Sequence, residues 1–172
     1  MNTDLTIRRF DQRDAAEVRT LFVAVNRMLA PPHLRDMFEI YIERSLQEEM
    51  GRVADYYAEH GGGFWVAVRE QRLVGMSGLE QAGPDAMELR RMYVDPQARR
   101  GGIARSMLQF AEDECRRFGM KRLELSTSEL QPAALALYRG AGYRLVKEVV
   151  AEHASNKTLG GGIRRYHFEK VL

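Results

Sequence analysis

The chemistry in this sequence is concentrated in one run, MELRRMYVDPQARRGGIARSML over 87–108, where a strand gives way through glycines to a helix. Backbone N–H groups at a helix start lack internal partners and sit at the positive end of its dipole. Gly101, Gly102 and Ala104 are small enough to let that backbone approach a phosphate closely. The backbone at this helix start therefore forms a candidate anion site. Arg99, Arg100 and Arg105 add positive charge around it. With Arg90 and Arg91 they make a basic cluster in which Asp95 is the acid. That cluster reads either as a solvated face or as the flank of a phosphate-bearing ligand. The nucleotide-triphosphate loop Gly-x-x-x-x-Gly-Lys-Ser/Thr is not in the sequence, nor is Gly-x-Gly-x-x-Gly in a repeated βαβ setting. What remains is Arg99-x-x-Gly102-x-Ala104.

Other reactive side chains carry less. His33, His60, His153 and His167 are far apart in sequence and match no metal spacing, so no metal site is expected. Cys115 falls on the apolar stripe of its helix and reads as buried filler. Trp65, in Phe-Trp-Val-Ala-Val, reads as core.

The elements that must position the loop follow from hydrophobic period and turn chemistry. LTIRRF over 5–10 reads as a strand, with Asp11 as N-cap and Asp14 in the first turn of a helix reaching Leu29. Pro31-Pro32 stops it. Residues 34–60 carry apolar positions at 3–4 spacing and predict one long or broken helix, with Gly51 as the dividing point. FWVAVRE and LVGMSGLEQ form a hairpin turning near Glu70-Gln71-Arg72, and AMELRRMYV over 86–94 is the next strand. Ile103, Met107, Phe110, Ala111, Cys115 and Phe118 make a helical stripe capped by Gly119. RLELSTS is a strand, Pro132 opens a short helix to Arg139, and 143–150 and 163–171 are final strands joined across Gly160-Gly161-Gly162. The order β-α-α-β-β-β-α-β-α-β-β predicts one α/β domain over residues 1–172, around a mixed, mostly antiparallel central sheet with helices on both faces.

Length and composition agree. A chain of 172 residues with 45% hydrophobic and 29% charged content builds a real core and is not disordered. One cysteine leaves no disulfide framework. Net charge is only +2, interleaved along the chain, with no recognition helix or basic tail for nucleic acid. No apolar run approaches the roughly 18 residues of a membrane span, and the N-terminus lacks a signal-like apolar segment. The expectation is a cytoplasmic protein that binds neither nucleic acid nor membrane.

The pattern Arg99-x-x-Gly102-x-Ala104 resembles the acyl-CoA-binding signature Arg/Gln-x-x-Gly-x-Gly/Ala of the Gcn5-related N-acetyltransferase (GNAT) superfamily. Tyr93-Val94-Asp95-Pro96 resembles that family's Tyr-Val-x-Pro. Gln131-Pro132-Ala133-Ala134-Leu135-Ala136-Leu137-Tyr138 with Gly142-Tyr143 is similar to its Asn-x-x-Ala-x-x-Leu-Tyr … Gly-Phe block. Gln131 stands where the family often has Asn, and Arg100 where it often has Gly. The resemblance spans residues 5–170 and implies a GNAT-type acyl-CoA N-acyltransferase fold, in which strands 86–94 and 122–128 splay apart to bind CoA. It implies pantetheine bonded to the backbone of Met92 and Val94, with Gln131 as a further contact. The pyrophosphate then lies on the amides of 100–105.

What the resemblance implies for chemistry is acetyl transfer from acetyl-CoA, as co-substrate, to an amine. A glutamate at the offset of Glu88 can serve as base, on the amine directly or through a water, with Glu80 second. Tyr138, at the family's Leu-Tyr position, reaches the sulfur as acid, and a backbone N–H near Met92 or Tyr93 donates to the oxyanion if the strand is bulged there. The region 34–57 covers the acceptor pocket in the family, so Tyr41, Tyr56 or Tyr57 are acceptor contacts as well as packing residues. The reading favours a primary amine on a small-molecule or amino-acid-like acceptor, attacking within a ternary complex. A peptide or protein amine stays open, as do a non-catalytic CoA-binding sensor and a homodimer.

Overall fold

A computed structural model describes residues 4–98 and 101–172. Its sheet begins with β1 (Thr6–Arg9), followed by β2 (Gly63–Arg69), β3 (Arg72–Gln81) and β4 (Ala86–Val94) as antiparallel neighbours. Next to β4 runs β5 (Arg122–Ser128), parallel to it, and then β6 (Arg144–Ala151) and β7 (Ile163–Val171) close the order β1-β2-β3-β4-β5-β7-β6. Against one face lie α1 (Ala15–Leu29), α2 (Arg35–Ser45) and α3 (Val53–Glu59); against the other lie α4 (Ile103–Arg117) and α5 (Pro132–Gly140).

Strand alternation divides the core between the faces. Phe64 and Val66 of β2 join Phe22, Phe38, Ile42 and Tyr57 of the first helices, whereas Trp65 joins Leu108, Cys115, Leu123 and Phe168 on the α4–α5 side. Met87 and Leu89 of β4 go to the second cluster, so Glu88 and Arg90 must project toward α1–α3. Asp11 caps as expected: its side chain accepts from Arg13 N at 3.0 Å, and Asp14 returns a bond from Asp11 N at 2.8 Å.

The segment expected as one long or broken helix is broken, and in an unusual way. Leu46–Met50 form a π turn in which Gly51 N–H donates to Leu46 O at 2.8 Å. A Cβ on Gly51 would stand 2.4 Å from that carbonyl oxygen, so the turn requires glycine. Glu49, within this turn, is fully buried, and Tyr57 Oη donates to it at 2.7 Å.

Two irregularities of β4 build the site. Its pairing with β5 runs from Ala86↔Arg122 only to Leu89↔Leu125, after which the strands diverge. On the β3 side, Met76↔Tyr93 and Gly78↔Arg90 leave Ser77 opposite both Arg91 and Met92, a β-bulge in which Arg91 has φ +54°. No helix of the described residues is long and apolar enough to cross a membrane.

Candidate active site

The divergence of β4 and β5 opens a cavity of about 730 Å³. One end lies at the start of α4, where Gly102 holds φ +73° and Gly101 φ +87° and the first helical bond is Ser106 N to Gly102 O at 2.9 Å. The amides of Ile103, Ala104 and Arg105 therefore precede the helical ladder and are free to serve an anion. Gly102, Ile103, Ala104 and Arg105 all line the cavity. Arg99 and Arg100 lie outside the described residues. Arg69, which the sequence did not single out, adds a cation at this end through a 3.5 Å bond to Ala98 O.

In the middle of the cavity stand Met92 and Val94 from the bulged end of β4, with Gln131 and Tyr138 from α5 and its N-terminus. Thr127 Oγ1 donates to Gln131 Oε1 at 3.0 Å, which fixes the amide and leaves its N–H₂ available. The Tyr138 ring packs between Tyr143 and Phe168. Burial, and secondarily Tyr93, push its phenol above the ordinary value, so the group stays protonated and able to donate. Among the described residues the Tyr138 hydroxyl makes no hydrogen bond, and no described side-chain atom is both sealed and unpartnered. It therefore opens to the cavity.

At the far end Glu88 meets Lys157, whose Nζ stands 3.0 Å from Glu88 Oε2 and 2.7 Å from Glu80 Oε1. Burial opposes the charge on Lys157, but Glu88 and Glu80 outweigh it and raise its pKa. Glu88 lines the cavity; Glu80 does not. Glu80 is sealed behind Tyr56 Oη at 2.9 Å and Arg90 at 3.3 Å. Burial alone would raise its pKa, yet Arg90 and then Lys157 hold it below the usual carboxylate value. As a proton acceptor Glu80 is thus both occupied and remote.

Arg90 and Arg91 do not flank a phosphate. Arg90 Nη2 is 2.8 Å from Glu49 Oε1, Arg91 Nε is 2.9 Å from Glu49 Oε2, and both side chains are about 5% exposed or less. Their apparent membership of a basic cluster is an artefact of sequence adjacency, because their acids come from the π turn and β3. Of the tyrosines expected near the acceptor, Tyr41 lines the cavity and accepts from Arg91 at 2.6 Å. Tyr56 and Tyr57 are instead absorbed in the Glu80 and Glu49 bonds. The loop 152–162 closes this end: Lys157, Thr158 and Leu159 line the cavity, and Asn156 O accepts from Arg90 at 3.3 Å and from Arg91.

Sequence reasoning missed Glu49, Lys157 and Arg165. Glu49 had a signal, since it falls on the apolar stripe three residues after Leu46 and four before Val53. Lys157 and Arg165 had none, because only tertiary folding brings them to the cavity.

A mixed sheet split at its β4–β5 parallel pair, with a helix N-terminus at one end of the split, defines the acyl-CoA N-acyltransferase class of fold. Residues 31–143 match the acetyltransferase (GNAT) family, and the chain belongs to that family. It is 36% identical to N-acetyltransferase 8 of Homo sapiens over 114 residues, 60% of this chain and 48% of that protein. It is 33% identical to the uncharacterized N-acetyltransferase YjgM of Escherichia coli K12 over 90 residues, 51% of this chain and 54% of that one. The chain thus spans about half the length of the curated relatives it matches. Among solved structures, PaiA N-acetyltransferase from Thermoplasma acidophilum in complex with coenzyme A superposes with TM-score 0.77 at 15% identity, covering 99% of this chain and all of that one. Spermidine N-acetyltransferase from Vibrio cholerae, in complex with CoA and spermine, gives TM-score 0.71 at 19% identity, covering 99% and 96%.

Proposed function

We propose that this protein transfers an acetyl group from acetyl-CoA to a primary amine by direct attack in a ternary complex, with a small-molecule or amino-acid-like acceptor. The observation that carries the reading is the cavity itself. It runs from unpartnered helix amides, past the diverged strands, to a carboxylate. Acetyl-CoA supplies an activated thioester carbonyl. The described residues fit such a ligand: the amides of Gly102 to Arg105 hold the pyrophosphate, and the sequence supplies further positive charge in Arg99 and Arg100. The stretch of β4 at Met92 and Val94, past the end of its pairing with β5, receives the pantetheine, and Gln131 donates to it.

An alkylammonium has a pKa near 10 and is not nucleophilic at neutral pH. Glu88 receives the acceptor ammonium and takes a proton from it, directly or through a water. The N–H of Met92 or Tyr93, turned by the bulge at Arg91, donates to the developing oxyanion. Tyr138 gives its proton to the departing sulfur. The loop carrying Lys157 narrows the acceptor end, which favours a small acceptor over a protein chain.

The test is thiol release from acetyl-CoA across a panel of amines, followed by mass spectrometry of the products. Tight CoA binding with no amine acetylated would overturn the enzymatic reading in favour of a CoA sensor.

A further inference from the structure

Among the described residues, Arg165 is the cation in the acceptor end that no carboxylate pairs. It lines the cavity from β7, and Nη2 donates to Ser126 Oγ at 3.0 Å. Among the described residues that is the only hydrogen bond of its side chain, and no carboxylate lies within ion-pair distance. Burial presses its pKa below the ordinary arginine value, with Tyr41, Tyr93 and Glu88 opposing that and Arg91 adding to it. The contrast with its neighbours is direct, since Arg90 and Arg91 each have Glu49 and Lys157 has both Glu80 and Glu88.

The placement of Arg165 relative to Glu88 follows from the sheet. Glu88 pairs with Glu124 on β5, and Ser126 lies two residues further along, on the same face. The Arg165 guanidinium at Ser126 and the Glu88 carboxylate therefore share the face toward α1 and α2, one beyond the end of strand pairing and one just before it. At this end Glu49, Glu80 and Glu88 stand against Arg90, Arg91, Lys157 and Arg165, so the excess is positive and belongs to Arg165. A planar guanidinium with its remaining N–H groups unused matches a carboxylate in two-pronged fashion.

We infer that Arg165 is a carboxylate-binding residue of the acceptor subsite, and that the acceptor is an amine carrying a carboxylate, an amino-acid-type zwitterion, rather than a polyamine. This rests on the acetyl-transfer reading above. The ammonium takes Glu88 while the carboxylate takes Arg165. A polyamine would set further positive charge against Arg165 and Lys157.

The test compares matched acceptors: an α-amino acid, its carboxamide, its decarboxylated amine, and spermine. Acetylation is followed by thiol release, and binding to the protein–CoA complex by calorimetry. The expected result is a kcat/KM for the acid at least about ten-fold above its amide, carried mainly by KM. In Arg165→Gln that ratio falls to about one, and in Arg165→Lys it is partly kept. Calorimetry shows the same loss of carboxylate-dependent binding. The proposal is overturned if spermine or the amide is the best acceptor, or if Arg165→Gln lowers acid and amide in equal proportion. Carboxylate-dependent binding without turnover of any amine would sink acetyl transfer and leave the subsite standing. Turnover without carboxylate preference would do the reverse.

Discussion

Replacing Tyr138 by Phe removes one oxygen and nothing else. The ring stays between Tyr143 and Phe168, and the hydroxyl has no hydrogen-bond partner among the described residues. Stability should therefore change by no more than about 0.5 kcal/mol, since no internal bond is broken. Catalysis should behave differently. If the phenol protonates the departing sulfur, its loss removes a general acid, an effect of about 10² in kcat, or roughly 2.7 kcal/mol of barrier. The KM for acetyl-CoA should stay within about two-fold, because the change acts on the transition state. The pH profile adds a constraint. Burial raises the phenol's pKa above 10, so the wild type should not lose its acid anywhere between about pH 7 and 9. The assay is steady-state thiol release with saturating amine, beside a thermal melt of the same preparation. Unchanged kcat would remove Tyr138 as the acid; a fall in kcat together with a lowered melting temperature would assign it a packing role.

Other outcomes follow from the same geometry. Glu49→Gln leaves Arg91 buried without a carboxylate and Arg90 with Glu80 alone, and should cost about 3–5 kcal/mol in urea denaturation; a loss under about 1 kcal/mol would contradict the pairing. Gly102→Glu should weaken acetyl-CoA binding by about 2–4 kcal/mol through like charge at the pyrophosphate, read by titration calorimetry, with Gly102→Ala as the control for backbone strain. Glu49 and Glu80 are held below the usual carboxylate value in the folded protein. Their stabilisation should be complete above about pH 4.5 and lost as pH falls through their folded values. Melting temperatures should thus drop in acid below about pH 4.5, less steeply in Glu80→Gln, after a smaller decline below about pH 6.5 from His167, whose pKa burial lowers; an equally steep acid drop in Glu80→Gln would remove Glu80 as a contributor.

Much of the scaffold was legible because it obeys local rules. The β-forming apolar run FWVAV, alternation in RLELSTS, the Asp11 cap, Pro132 at a helix start and Gly119 at a helix end each identify an element from a few residues. The anion loop was legible for the same reason, since a helix start announces its own unpaired amides. What escaped were features that break local rules or depend on distant partners. The helical period over residues 34–60 put Glu49 on the apolar stripe, but nothing local announces the π turn there or the arginines that its carboxylate meets. Arg90 and Arg91 are adjacent to a basic loop in sequence, but alternation and the bulge aim them at acids from α3's side of the sheet. Lys157 reaches Glu88 from 69 residues away, a pairing that no spacing rule contains.

The rule-breaking residues also explain one another. A non-glycine residue at positive φ costs about 1–2 kcal/mol, and Arg91 holds φ +54° in the middle of a strand. The bulge at Arg91 is what redirects the backbone of Met92 and Tyr93, where the proposed reaction needs a donor for the oxyanion. Such strain persists only where the surroundings over-determine it. Here they do: the Arg91 guanidinium bonds Glu49 through Nε and Nη2, Tyr41 through Nη1, and Asn156 O of the loop that closes the cavity. Glu49 lies in the π turn and is fully buried, and that turn requires glycine at 51, where a Cβ would stand 2.4 Å from Leu46 O. The buried ion cluster therefore does not replace a phosphate site. It fixes the bend of β4 from behind and ties that bend to the closing loop. Loosening it at Glu49 should lower turnover as well as stability, with the loss in kcat remaining at temperatures where the variant is still fully folded.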